Sequence, residues 1–324
     1  MWYGNFKIAL KVKKNIIFSS IKVLISLLFI YLILKKIDLK EVIKIIKNAD
    51  LFFLIFAYIL ILINNYLLAL RFKCIVEIYF KKNLSSFFIF KLTMIGLFFN
   101  NFLPTSAGGD IVKVFYVIKN EEKKFLSGIS VLIDRYIGAL TVMTMGSISL
   151  FFYRKDHKIE NLILIFLFLL IFSFLFFSIR KIAQFFYYPF KKFLPEILNK
   201  KLLNLYESIH FYFSENKKLF YIAIFISFFL QIISIFSQYL LAISILKRKL
   251  EIMPFFVYIP LIWVSTLLPS IGGLGIREYS CIFLFSDLIG NNNAYALSIL
   301  VLSGVILNGI IGGIIFLTFK IKNT

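Results

Sequence analysis

Apolar residues along this chain run in blocks, and polar residues collect in short segments between them. Six blocks, at 16–34, 51–70, 126–153, 159–179, 218–246 and 294–320, each approach or exceed the ~20 residues that a helix needs to cross a bilayer core. Two shorter apolar stretches, 84–103 and 254–268, fall at that margin. The pattern predicts an all-α, polytopic membrane helical bundle. Composition agrees, since 60% of the residues are hydrophobic, 41 are Phe, and the mean hydropathy is +0.91. A water-soluble surface does not allow such values. Lys7, Lys11, Lys13 and Lys14 before the first block look like the start of a signal peptide. The block is about 19 residues long and no A-x-A site follows, so it reads as an uncleaved first span.

Both short stretches end in the same kind of break. The first reaches Leu103-Pro104-Thr105-Ser106-Ala107-Gly108-Gly109, the second Leu268-Pro269-Ser270-Ile271-Gly272-Gly273, and a basic residue, Lys113 or Arg277, follows four positions after each second glycine. The segments 1–153 and 159–320 thus share one plan: span, span, short apolar segment, Pro/Gly-Gly break, amphipathic helix, span. Internal duplication within a single membrane domain, 1–324, accounts for this; accidental similarity of two short motifs is the alternative. Proline and paired glycines free backbone N–H and C=O groups that lipid cannot satisfy. The breaks at Pro104, Gly108, Gly109, Pro269, Gly272, Gly273 and Gly275 must therefore be covered by protein or line a wet cavity.

The distribution of basic residues chooses a topology. If the two short segments are re-entrant hairpins, six spans remain, and a cytoplasmic N-terminus puts 22 Lys and Arg inside against 12 outside. If both cross fully, the ratio is 16 to 18, which is no bias. Six full spans plus two re-entrant helical hairpins are expected, with both termini cytoplasmic in the plasma membrane of a prokaryote. Three crossings per half invert the second half relative to the first, as in transporters with inverted repeats. Between spans, 180–217 carries an apolar stripe of Leu198, Leu202, Leu205, Ile209 and Tyr212 opposite Lys200, Lys201, Asn204 and Glu207. It reads either as a helix in the inner interface or as a loop packed on the protein.

Net charge is +21, but the basic residues are scattered through short loops, so anionic lipid headgroups fit as partners and nucleic acid does not. With Cys74 and Cys281 the only cysteines, and His157 and His210 the only histidines, neither a disulfide framework nor a zinc cluster can be assembled. No metal, cofactor or catalytic set is expected.

An ion at the centre of a spanning helix costs on the order of 3 kcal/mol by insertion scales. Lys91, Asp134 and Arg135 lie within apolar stretches, and Asp110 and Glu278 just beyond the breaks. Asp134 and Arg135, about 100° apart on a helix, should each find a partner elsewhere. Arg135 with Glu278 and Asp134 with Lys113 are candidate pairs between the hairpins. These charges either lock the bundle together or bind a phosphate through Lys113, Arg135 and Arg277, with helix N-termini adding N–H donors. Asn64, Asn65, Asn100, Asn101, Gln231, Gln238 and Asn308 should mostly bridge helices. Asn100 and Asn101, beside the first break, are the best candidates to line a pathway.

Three stretches resemble the lysylphosphatidylglycerol synthase/flippase membrane-domain family. They are Pro104-Thr-Ser-Ala-Gly108-Gly109-Asp110-Ile-Val-Lys113, the Asp134-Arg135 pair, and Pro269-Ser-Ile-Gly272-Gly273-Leu-Gly275-Ile-Arg277-Glu278. Lys113 departs from the arginine usual there, and an ammonium cannot make the bidentate fork to phosphate, which favours Arg135 and Arg277. Full-length family enzymes add a soluble aminoacyltransferase domain. The resemblance implies the translocating part alone: a flippase for an anionic phospholipid or polyprenyl-phosphate lipid, not an enzyme. Two other readings stand beside it, an accessory subunit presenting a lipid carrier to a partner transferase and a membrane-embedded transferase using Asp110, Asp134 or Glu278. A homo-oligomer is compatible with each.

Overall fold

The structure, a computed structural model, describes residues 31, 37–80, 83–102, 108–117, 124–150, 152, 157–191, 195–266 and 274–319. Among these the elements are helical: α1 (Leu39–Lys47), α2 (Leu51–Phe80), α3 (Ser86–Phe102), α4 (Gly108–Val117), α5 (Lys124–Leu150), α6 (His157–Ser178), α7 (Arg180–Lys191), α8 (Glu196–Ser214), α9 (Lys217–Leu246), α10 (Met253–Ser265), α11 (Ile276–Ile289) and α12 (Asn291–Thr318). The all-α expectation holds. Four helices, α2, α5, α9 and α12, are long and apolar enough to cross a membrane, and α6 with α7 makes a fifth candidate bent by 99°. Apart from Tyr31, the expected span at 16–34 lies outside the described residues, as do the breaks at Pro104, Pro269, Gly272 and Gly273.

α2 and α9 form the central pair. The Asp50 N–H donates to the Ser244 carbonyl at 2.8 Å, and Arg71 Nη1 donates to Ser227 Oγ at 3.0 Å, so the two helices run antiparallel. Around them the packing is reciprocal: α3 lies on α12, and α10 lies on α5. α3 and α12 are antiparallel, with Asn101 at Val305 and Met94 at Gly312. A Cβ at Gly312 would fall on the Met94 carbonyl oxygen, and one at Gly109 on the Gly96 carbonyl. Glycine at these positions lets α12 and α4 approach α3 to backbone contact, as small residues do between membrane helices.

The largest buried cluster joins α1 and α9–α12 around Val42, Leu241, Phe255, Phe285 and Ala294. A second, around Ile75, Ile137, Tyr212 and Phe220, joins α2, α5, α8 and α9. Outward faces are apolar too: Phe52 and Ile55 on α2, Phe225 on α9 and Leu317 on α12 are exposed. Such faces suit hydrocarbon rather than water. Gly290 alone separates α11 from α12, with φ 84°, a left-handed corner that a side chain would strain.

The described part of the 180–217 stretch is helical, as α7 and α8, and the end of α8 packs on the bundle. His210 Nδ1 lies 2.7 Å from the Phe177 carbonyl in the last turn of α6, giving that helix end a partner beside the bend. Beyond the bend, α7 exposes Phe185 and Tyr188. In α8, Leu198, Leu202 and Leu205 are exposed, whereas Tyr212 is fully buried against the bundle.

These contacts predict opposite effects for two glycine substitutions. Gly312→Ala should lower the thermal midpoint in detergent, because the Met94 backbone cannot retreat. Gly128→Ala meets nothing within 4 Å, and should leave the midpoint unchanged or raise stability by about 0.5–1 kcal/mol, as alanine does within a helix.

Candidate functional site

α4 opens at Gly108, directly after the first break, and its first turn carries Asp110. The Gly109 N–H, unpaired in its own helix, donates to Asn100 Oδ1 at 2.8 Å, so the end of α3 caps the start of α4. Asp110 then gathers two cations. Lys113 Nζ lies 2.6 Å from Oδ1, one helical turn along α4, and Arg135 of α5 donates to Oδ2 through Nη2 at 2.6 Å and Nε at 2.8 Å. The Lys113 ammonium also sits 5.0 Å from the centre of the Phe72 ring on α2. Asp110 and Lys113 are buried, while the Arg135 side chain remains 41% accessible.

The neighbouring residue on α5 turns the other way. Asp134 accepts a fork from Arg71 of α2, Nε to Oδ1 at 2.7 Å and Nη2 to Oδ2 at 3.1 Å, and both side chains are buried. Arg71 Nη1 continues to Ser227 of α9, whose hydroxyl is 2.8 Å from Thr141 of α5. A Cβ at Gly138 would stand 3.0 Å from Arg71 Nη1, so the glycine gives the guanidinium its room.

The second motif is self-contained. Glu278 Oε2 accepts the Gly275 N–H at 2.6 Å, and Oε1 accepts Arg277 Nη2 at 2.6 Å and Nε at 3.1 Å. Gly275 has φ 82°, left-handed backbone that its lack of Cβ allows. Arg277 is therefore engaged by its own neighbour at the start of α11.

Asp134 and Arg135 do diverge to separate partners, as their angular separation requires. The partners differ from those expected: Arg135 holds Asp110 rather than Glu278, and Asp134 holds Arg71 rather than Lys113. Arg71 lies one residue beyond the apolar block at 51–70, so hydropathy alone does not assign it to the span. The signal that it belongs to the helix is the periodicity of Phe72, Ile75, Val76 and Ile78, all buried, which carries α2 on to Phe80. Lys91 rests 4.4 Å over the Phe87 ring, one turn back along α3. Asn101 bridges as expected, donating to the Val305 carbonyl at 3.2 Å.

The buried pair predicts a specific mutational pattern. Arg71→Gln or Asp134→Leu alone should cost about 3–5 kcal/mol by stranding one ion. The double variant Arg71→Met/Asp134→Leu should recover most of that loss, as read by thermal unfolding in detergent.

Residues 19–312 match the family described as lysylphosphatidylglycerol synthase TM region. One curated relative, described as UPF0104 membrane protein MJ1595 of Methanocaldococcus jannaschii, is 33% identical over 156 residues, 47% of this chain and 46% of that protein. The match thus spans about half the length of that relative. No solved structure matches. With the family match reaching into α12 and taking in the break before α4, the Asp134-Arg135 pair and the Gly275–Glu278 turn, this chain belongs to the lysylphosphatidylglycerol synthase transmembrane-region family.

Proposed function

We propose that this protein is a flippase that carries a phosphate-bearing lipid or lipid-linked intermediate between leaflets, binding without covalent chemistry. The supporting observation is the Asp110–Lys113–Arg135 group: a buried carboxylate behind a helix break, holding a guanidinium whose side chain is still 41% accessible. A phosphate approaching Arg135 competes with Asp110 for the same planar fork and meets the N-terminal N–H groups of α4. Competition of this kind allows capture and release, whereas an unopposed cation would hold the headgroup too tightly for transport.

The transport reading includes an architecture of six spans, two re-entrant hairpins formed by α3–α4 and α10–α11, and an inverted repeat. The reciprocal packing of α3 on α12 and α10 on α5, about an antiparallel α2–α9 pair, supports it. Removing Arg71 and Lys73, which lie inside α2, from the 22 inner basic residues leaves 20 against 12, which preserves the positive-inside bias. The reading places both termini in the cytoplasm and the protein in a prokaryotic plasma membrane, with the outward faces of α7 and α8 on the inner leaflet.

In proteoliposomes carrying a labelled anionic phospholipid, Arg135→Gln should slow movement about tenfold to a hundredfold, the worth of one charge-assisted hydrogen-bonded fork. Arg135→Lys should fall between, since an ammonium keeps charge and loses the fork. Equal rates for all three proteins would refute the assignment.

A further inference from the structure

Three carboxamides in the bundle keep polar atoms that bond to nothing. Asn64 Oδ1, Asn65 Nδ2 and Asn308 Oδ1 are buried without hydrogen-bond partners, and Asn65 and Asn308 are only 6% and 8% exposed. Each of the three therefore leaves part of its bonding capacity unused. An amide left unpaired in hydrocarbon costs on the order of 2–7 kcal/mol. Apolar residues would stabilise this region better unless something else answers these groups.

Their placement indicates what that is. α2 and α12 run parallel, because α1, which leads into α2, is tied to the start of α12. The Asp38 N–H donates to Asn292 Oδ1 at 3.3 Å, and Asn292 Nδ2 donates to the Glu41 carboxylate. α2 and α12 touch where the Tyr58 hydroxyl is 2.5 Å from Ser303 Oγ, and where Ile61 lies against Gly304. One helical turn beyond Ile61 and Gly304, on the same faces, come Asn65 and Asn308. By this spacing both amides lie on the helix stripes that carry the contact, halfway along the 30 residues of α2.

The ion group lies within reach. Phe72, whose ring carries the Lys113 ammonium, is seven residues beyond Asn65 on the same stripe of α2, about 10 Å at 1.5 Å per residue. Asn101, beside Gly309, and Asn100, capping Gly109, connect the two regions along the end of α3.

We infer that Asn65 and Asn308 form a second, uncharged subsite that takes the hydroxyl-bearing part of a headgroup whose phosphate is held by Arg135; this inference rests on the transport reading above. A carboxamide offers donors and an acceptor without charge, which is the complement of a polyol. Tyr66 and Leu307, the sequence neighbours of these two residues, are exposed on the lipid-facing surface, so parting of α2 and α12 opens the seam to the bilayer.

The test uses the full chain and two anionic lipids with the same phosphate, phosphatidylglycerol and phosphatidylpropanol, the second lacking headgroup hydroxyls. Native mass spectrometry measures retention from an equimolar mixture, alongside thermal unfolding. The unmodified protein should retain phosphatidylglycerol about tenfold better, the worth of one or two hydrogen bonds. Asn65→Leu and Asn308→Leu, close in volume, should bring the two lipids to parity while unfolding no earlier than the unmodified protein. Arg135→Gln should lose both lipids. Variants that unfold earlier yet keep the preference would make the carboxamides structural and overturn the subsite. Equal retention of both lipids by the unmodified protein, still abolished by Arg135→Gln, would overturn the subsite and leave the phosphate site intact. Retention indifferent to Arg135→Gln would remove the phosphate site, and the subsite with it.

Discussion

Hydrocarbon offers neither hydrogen bonds nor counterions, so each ion on a buried helix face must be answered by another part of the same protein. α5 meets this constraint with two adjacent residues facing different neighbours. Asp134 binds α2 through Arg71, and Arg135 binds α4 through Asp110. One turn of helix thereby fixes the central pair on one side and the segment after the first break on the other. Ser227 extends the first linkage to α9, and Lys113 over Phe72 returns the second to α2.

The two linkages differ in the property that matters for binding. Arg71–Asp134 is closed off, with its fork complete and both side chains buried, and it has the geometry of a structural lock. Arg135–Asp110 has the same chemistry at an accessible place. The second motif shows a third solution, in which Glu278 accepts from its neighbour Arg277 and from the Gly275 N–H that opens its own helix. The two motifs differ in how their charges are paired, and the function proposed above uses the side of α4 and α5, where the guanidinium is accessible.

Much of this was legible in the sequence because lipid imposes strong patterns. Apolar blocks located α2, α5, α9 and α12 to within a few residues, apart from the extension of α2, and the paired Pro/Gly-Gly motifs marked where α4 and α11 begin. Adjacent, oppositely charged residues at 134 and 135 implied two separate partners. Their identities were not legible. The apolar block at 51–70 ends at Arg71 although its helix continues for nine more residues. Pairing between distant helices depends on axial register, which hydropathy does not encode. Gly96 and Gly312 likewise acquire meaning only when α3 is seen against α4 and α12.

The central claim is that the accessible arginine of α5 exchanges its carboxylate for a lipid phosphate. Solid-state NMR of the reconstituted protein, with guanidinium nitrogens labelled and lipid phosphorus observed, measures that contact directly. A short phosphorus–nitrogen distance present in the unmodified protein and absent in Arg135→Gln is the predicted result. A contact that survives the substitution, or no contact in a preparation shown to move lipid, would contradict it.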